Sequence, residues 1–163
     1  LTSDDKQIER ITEIKWVNHG IRSIPGTIQD LGFLVKLELE ENDLTTLPSE
    51  LKSLINLEDL QLHDNQLVAL PAFIGYLNKL VHLDIHNNSL EELPLSMEDL
   101  QNLNFLNVAN NKLNILPQSL CGLSTINSIN LECNDLDATS VDVASCFHDY
   151  LGSQLNNDNC GGE

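Results

Sequence analysis

The sequence of 163 residues is long enough for one domain with a sizeable core, and its 41% hydrophobic content is ordinary for a globular protein. Its 25 acidic residues outnumber 8 basic residues, which gives a formal net charge of −17. Phosphate backbones and anionic membrane surfaces are repelled by such a charge, and no apolar run approaches the roughly 20 residues that span a bilayer. We therefore expect no nucleic-acid partner and no membrane insertion, whereas a cation or a basic surface is a suitable electrostatic complement.

Residues 1–10 are predicted to form a thin N-terminal cap. Thr2 or Ser3 can cap a helix, and Ile8 is the residue that offers a contact to a core. The chain begins at Leu1 rather than at Met, and we expect residues upstream of it to have been removed.

Between residues 11 and 136 the sequence repeats without slippage. The repeat predicts six units, which begin at Ile11, Leu34, Leu57, Leu80, Leu103 and Ile126. Within a unit the apolar residues and one Asn keep fixed positions, as in Leu34-Leu37-Leu39-Asn42-Leu44. The first unit has His19 where the other units have Asn.

The second half of each unit repeats as well, with an apolar residue followed by Pro, as at Leu47-Pro48 and Leu70-Pro71. The alternation at Leu37 and Leu39 is the period of a strand with one buried face, and the later apolar positions suit a short helical return. Pro at the head of the return suits a segment whose N–H is not needed by the sheet. Because one unit cannot bury its own leucines, neighbouring units must stack.

This pattern resembles the leucine-rich repeat family, whose signature is LxxLxLxxNxL, and the LPxxI ending resembles the 23-residue repeats of bacterial proteins and signalling scaffolds. The resemblance implies an α/β right-handed leucine-rich repeat solenoid with the arc of a horseshoe. Six parallel strands would line its concave face, and short helical or 3₁₀ returns would form its convex face. In this family the concave surface usually binds the partner.

Residues 137–163 depart from the repeat and are predicted to form a C-terminal cap. The cap has a helix at about 140–152, with Ser140 as its N-cap and Val143 and Phe147 among its apolar residues, followed by a tail.

The four cysteines all lie near this end of the chain. Equivalent positions on adjacent coils are about 4.8 Å apart, within the Cα spacing of a disulfide. The separations favour Cys121 with Cys146 and Cys133 with Cys160 among three possible connectivities. Bridges would indicate an extracellular, cell-surface or periplasmic location, and four reduced cysteines a cytoplasmic one. A zinc site is disfavoured because no CxxC pair is present.

Three columns of side chains are predicted to point outward from the sheet. The first is Glu13, Lys36, Asp59, His82, Phe105 and Ser128. The second is Lys15, Glu38, Gln61, Asp84, Asn107 and Asn130. The third is Val17, Glu40, His63, His86, Ala109 and Glu132.

The histidines in these columns raise the question of metal binding or catalysis. A divalent metal has possible ligands in Glu40, His63, Asp84 and His86. An open sheet, however, splays its side chains and offers no evident second shell, so we favour a polar contact surface without metal or cofactor. Catalysis is disfavoured as well, because no Ser or Cys nucleophile faces Asp84 and His86 and no closed pocket is expected.

The sequence therefore predicts a non-enzymatic module that binds a partner protein with a basic or mixed-charge patch. The predicted contact residues are Glu38, Glu40, Asp59, Gln61, His63, His82, Asp84, His86, Phe105 and Asn107. One alternative is a carbohydrate or cell-wall ligand, which would be bound by Asp84, Phe105, Asn107 and Asn130. Another alternative is a structural spacer without a ligand.

Overall fold

Six short parallel strands form one sheet in which the strand order follows the chain order. The computed structural model describes residues 11–137, 143, 145–147 and 160. The strands are β1 (Glu13–Lys15), β2 (Lys36–Glu38), β3 (Asp59–Gln61), β4 (His82–Asp84), β5 (Phe105–Asn107) and β6 (Ser128–Asn130). Each residue pairs with the residue at the same position of the next unit, as Leu37 does with Leu60 and Leu60 with Leu83. The parallel sheet predicted from the repeat is confirmed.

The middle residue of each strand points into the core. Leu37, Leu60, Leu83 and Leu106 are fully buried, because the equivalent Leu or Ile of the adjacent coils lies on each side of them. The side chains that flank them in the strand point to the opposite face. We call this opposite face, with its three outward columns, the concave face.

The return of each of the first five coils contains a 3₁₀ helix that begins after a Pro. These helices are Gly26–Asp30, Ser49–Ser53, Ala72–Tyr76, Leu95–Asp99 and Gln118–Gly122. Each Pro is extended, with φ near −70°, and its carbonyl accepts the first hydrogen bond of the turn, as from Leu51 to Pro48 at 3.1 Å. The missing N–H of Pro is thus placed where the turn does not need it.

An Asn in each coil after the first binds the turn backbone of two coils. Asn65 accepts the Leu44 N–H at 3.0 Å and donates to the carbonyls of Leu39 and Leu62 at 2.9 and 3.0 Å. The same bonds recur at Asn88, Asn111 and Asn134. The Asn at this position is therefore structural, since a Leu there would leave these buried polar groups unpaired.

The residue before the repeated Asn, or before His19 in the first coil, has a left-handed backbone. The positions are Asn18, Glu41, Asp64, Asn87, Asn110 and Cys133, with φ between 51° and 57°. This conformation reverses the direction of the chain sharply after each strand. Few L-residues adopt it readily.

The two ends of the chain are only partly described. The predicted cap at residues 1–10 lies outside the described residues, as does most of the predicted helix at 140–152. Within the described part, Val143 and Phe147 are buried in the common core, and Ser145–Phe147 forms a 3₁₀ turn. No helix of the described chain is both long and apolar enough to cross a bilayer.

Candidate functional site

The sheet register brings the outward columns together as the repeat predicted. Asp59 pairs with His82 and His82 with Phe105, while Gln61 pairs with Asp84. All ten predicted contact residues therefore lie on the concave face or directly after its strands. What the repeat did not reveal is how these side chains bind one another.

Ion pairs connect the first three strands. Glu38 accepts from Lys15 and from Lys36, each at 3.1 Å, and Lys36 also contacts Asp59 at 3.2 Å. Burial raises the pKa of the Glu38 carboxyl, but hydrogen bonds from Lys36 and Lys15 outweigh this effect and hold its pKa below the ordinary value. The pKa of Lys36 is raised, chiefly by its hydrogen bond to Glu38 and then by Asp59. This part of the face carries charges of both signs.

The chain of contacts continues through β3 to β5. Gln61 donates to Asp59 at 2.6 Å, and its amide nitrogen lies 2.9 Å from Nδ1 of His82. The His82 ring stacks on the Phe105 ring, with 4.1 Å between centroids and 2° between planes. A flat aromatic platform thus adjoins a hydrogen-bonding group, and this combination is common at the centre of protein interfaces.

A second stack lies in the third column. The rings of His63 and His86 are stacked with 4.5 Å between centroids. Nδ1 of His86 is 2.6 Å from Oδ1 of Asp84, which is only 9% exposed, and Asn107 donates to Asp84 at 3.4 Å. The orientation of His86 is therefore fixed by a buried carboxylate.

Asp64 belongs to this cluster although the sequence did not single it out. Its Oδ2 lies 2.7 Å from Nδ1 of His63 and 3.9 Å from Nε2 of His86, and its Oδ1 accepts from Asn87 at 2.7 Å. Burial raises the pKa of Asp64, but hydrogen bonds from His63 and Asn87 and the charge of the two rings outweigh it, so its pKa is lowered. The signal available in the sequence was its place directly before the repeated Asn, in the turn that follows the strand.

Glu40 is placed differently from the other predicted contact residues. One of its carboxyl oxygens, Oε2, is buried and has no hydrogen-bond partner among the described residues. Glu40 and Asp84, which the sequence offered as possible metal ligands, are not part of the group whose ligand atoms lie closest together. Within the described chain, the group whose ligand atoms lie close together is His63, Asp64 and His86.

The cysteines form two pairs at disulfide distance. The sulfur atoms are 2.03 Å apart for Cys121 and Cys146, and 2.16 Å apart for Cys133 and Cys160. These are the two pairs that the sequence separations favoured. They connect the last two coils to residues beyond the repeat.

A shallow groove of about 680 Å³ lies outside the three outward columns. It is lined by exposed Val68, Leu95 and Ile115 together with Glu91 and Glu92. The groove brings together no histidine and no aromatic ring, so the concave face is the richer candidate site.

Comparisons with known proteins agree with the architecture. Residues 79–100 and 102–123 match the family model described as Leucine Rich Repeat. No curated protein sequence matches this chain.

Three solved structures are similar over most of this chain. The LRR protein LIC12759 of Leptospira interrogans is 30% identical, with a TM-score of 0.78 over 84% of this chain and 35% of that one. The plant peptide hormone receptor RGFR1, solved in complex with RGF2, is 29% identical, with a TM-score of 0.71 over 77% of this chain and 21% of that one. The functional domain of InlJ from Listeria monocytogenes, which includes a cysteine ladder, is 22% identical, with a TM-score of 0.68 over 81% and 28%. The last likeness concerns the fold alone, and the chain spans about a third or less of each of these proteins.

Proposed function

Because the chain is a leucine-rich repeat solenoid, we propose that it is a non-enzymatic recognition module that binds a partner protein through its concave face. The observation that supports this most is the connected set of side chains across β1 to β5. Charged groups, an amide and an aromatic platform follow one another on adjacent strands, and two stacked imidazoles lie just beyond β3 and β4. Their mutual contacts hold them in place before binding, which lowers the entropy lost when a partner docks.

The charges on the concave face also limit which partner surfaces can bind it. Lys15 and Lys36 supply positive charge at one end, whereas carboxylates predominate elsewhere, and the whole chain carries a net charge of −17. A partner with a basic or mixed-charge patch would be attracted over long range. We expect its association rate to fall as salt is added, because screening acts mainly on the approach of the two proteins.

The cysteine pairs bear on where binding takes place. Two pairs at disulfide distance favour an oxidising compartment, since thiols stay reduced in the cytosol. We place the module in an extracellular, cell-surface or periplasmic setting. The receptor RGFR1, with which this chain shares the fold, was solved in complex with RGF2, and a peptide or protein ligand is in keeping with that precedent.

A carbohydrate ligand is the second candidate, and it is supported by the Phe105 ring beside the amide of Asn107 and the carboxylate of Asp84. Such a face can stack and hydrogen-bond a sugar. A glycan array and a protein pull-down from the native source, run with the same labelled chain, separate the two. We expect the pull-down to enrich a protein that is lost when Phe105 and His82 are both changed to Ala. Glycan binding that is lost in the same double variant, with no protein enriched, would favour the sugar ligand. No binding in either experiment would favour a structural spacer.

A further inference from the structure

The cluster of His63, Asp64 and His86 has the composition of a metal site. One ligand atom of each residue lies within 4.8 Å of the other two. The two histidines follow strands β3 and β4 in the same outward column, and the left-handed turn at Asp64 presents its carboxylate to both rings. Imidazole nitrogen and carboxylate oxygen are together the usual ligands of zinc and neighbouring divalent metals.

The two distances from Asp64 to the histidine nitrogens lie on either side of the ligand spacing of a tetrahedral site. Ligand bonds of about 2.0–2.2 Å place two ligand atoms about 3.3–3.5 Å apart. Oδ2 of Asp64 is 2.7 Å from Nδ1 of His63 and 3.9 Å from Nε2 of His86, so the two separations bracket that value. A metal between them would replace the proton that His63 shares with Asp64. Because the two rings are nearly parallel, at least one of them would turn out of the stack to direct its nitrogen toward the ion.

The residues around the cluster are those that a metal site requires. Asp84 is buried, and its Oδ1 lies 2.6 Å from Nδ1 of His86, so a proton on Nδ1 would leave Nε2 as the nitrogen that binds a metal. Asn87 holds Oδ1 of Asp64, which leaves Oδ2 available. A carboxylate behind a ligating histidine fixes its tautomer and increases its basicity. The sequence offered no second shell and so disfavoured a metal, whereas the structure supplies one from Asp84, Asn87 and Asn107.

We propose that His63, Asp64 and His86 bind one divalent transition metal ion, with Zn²⁺ as the best match to their chemistry. Water would occupy the remaining coordination position, because the site lies at an open surface. The chain's net charge of −17 would favour the approach of any cation, so selectivity for zinc over magnesium or calcium would come from the two imidazoles. This proposal does not rest on the proposed protein binding, because Zn²⁺ binding is measured on the chain alone.

The test is calorimetric titration of Zn²⁺ into the full chain, without a histidine tag and with any free thiols alkylated. We expect about one equivalent of Zn²⁺ to bind, and His63→Ala and His86→Ala each to weaken binding at least about tenfold. Asp84→Asn, which removes the carboxylate beside Nδ1 of His86 and changes no ligand, should weaken Zn²⁺ binding by about 10- to 100-fold. His19→Ala is the matched control, because His19 is an exposed histidine at a strand end outside the cluster, and its variant should bind as the wild type does.

A second measurement keeps the test informative if a variant fails to fold. Co²⁺ added to the wild-type chain should give the visible absorption of a tetrahedral nitrogen and oxygen site, without the charge-transfer band of a thiolate, and excess Zn²⁺ should abolish it. Failure of the wild type to bind Zn²⁺ below millimolar concentration would overturn the proposal. Wild-type affinity in folded His63→Ala and His86→Ala variants would also overturn it, and so would a thiolate band with Co²⁺.

Discussion

The Asn at the end of each strand connects two coils through a single side chain. Asn65 pairs one N–H and three carbonyls, of which those of Leu39 and Leu62 are in buried surroundings. Water has little access there, because Asn65 itself is only 9% exposed. The geometry of the concave face therefore depends on a residue that does not contribute to that face.

Changing Asn65 to Ala should strongly destabilise the solenoid. The variant leaves the Leu44 N–H buried without a partner, whereas the Leu39 carbonyl keeps its hydrogen bond from Asn42, and we expect the free energy of unfolding to fall by about 1–3 kcal/mol. Urea denaturation followed by circular dichroism measures the change. Asn114→Ala is the control, since Asn114 is exposed, and equal losses in the two variants would contradict the role assigned to Asn65.

The residue-level layout of the concave face could be predicted only in part. Alternation along a strand follows from backbone geometry, so the columns containing His82 and Phe105 were predictable from the repeat alone. The side-chain contacts were not, because a period fixes the direction of a side chain but not its rotamer or its neighbour across two coils. Asp64 was missed for this reason: its turn conformation, rather than any pattern of residue types, brings its carboxylate to His86.

Glu38 gives the face a stability that depends on pH. Its folded pKa is lower than its unfolded pKa, so its contribution is present above the unfolded value and is lost as the pH falls through the folded one. We predict that Glu38→Gln is less stable than the wild type at pH 7 by about 0.2–1 kcal/mol for each of its ion pairs. The difference should shrink as the pH is lowered through the unfolded pKa of Glu38 and then through its lower folded pKa. Thermal unfolding of both chains across this range provides the measurement, and a difference that grows on acidification would have the wrong sign.

At the scale of elements, the 3₁₀ returns set how closely neighbouring coils approach. Ser96 donates to the carbonyl of Ala72 at 2.7 Å, so the third and fourth returns are in direct contact. Gly75 lies at this contact, and a Cβ atom there would stand 2.5 Å from the Ser96 carbonyl oxygen. The predicted helical or 3₁₀ character of the returns is confirmed, but this close approach was not foreseeable from the repeat.

Replacing Gly75 by Ala should therefore force two returns apart. We expect the variant to lose about 1–3 kcal/mol of unfolding free energy, as overpacked sites do. Gly122→Ala is the matched control in the equivalent return two coils on, where no atom lies within 4 Å of the added Cβ, and it should be neutral. Similar urea midpoints for wild type and Gly75→Ala would contradict this expectation, because they would show that the two returns can separate without a loss of stability.

At the scale of the whole molecule, the last coil of an open solenoid has no following coil to cover its apolar residues, so other residues must cover them. The two cysteine pairs lie at that end, and buried Val143 and Phe147 extend the core beyond the last strand. The pairing of the cysteines was predictable because the sequence separations of 25 and 27 residues are both close to the length of one repeat. The helix expected at about 140–152 falls largely outside the described residues and stays a prediction.

The disulfide pairing is checked by peptide mass mapping of protein from the native source without reductant. We expect one peptide pair that links Cys121 to Cys146 and another that links Cys133 to Cys160. Reduction should lower the free energy of unfolding by about 2–4 kcal/mol for each bridge. Four thiols that alkylate before reduction, or a different connectivity, would remove the argument for an oxidising compartment.

Recognition through the concave face is tested most directly by site-specific photo-crosslinking in extracts of the native source. A photoreactive phenylalanine analogue is placed at Phe105 or at Gln61 on the concave face, and at Ile115 as an exposed apolar control outside the three columns. We predict that Phe105 and Gln61 capture the same protein, that Ile115 does not, and that unlabelled wild-type chain competes for it. Capture of that protein through Ile115 alone, or equally from all three positions, would contradict binding by the concave face.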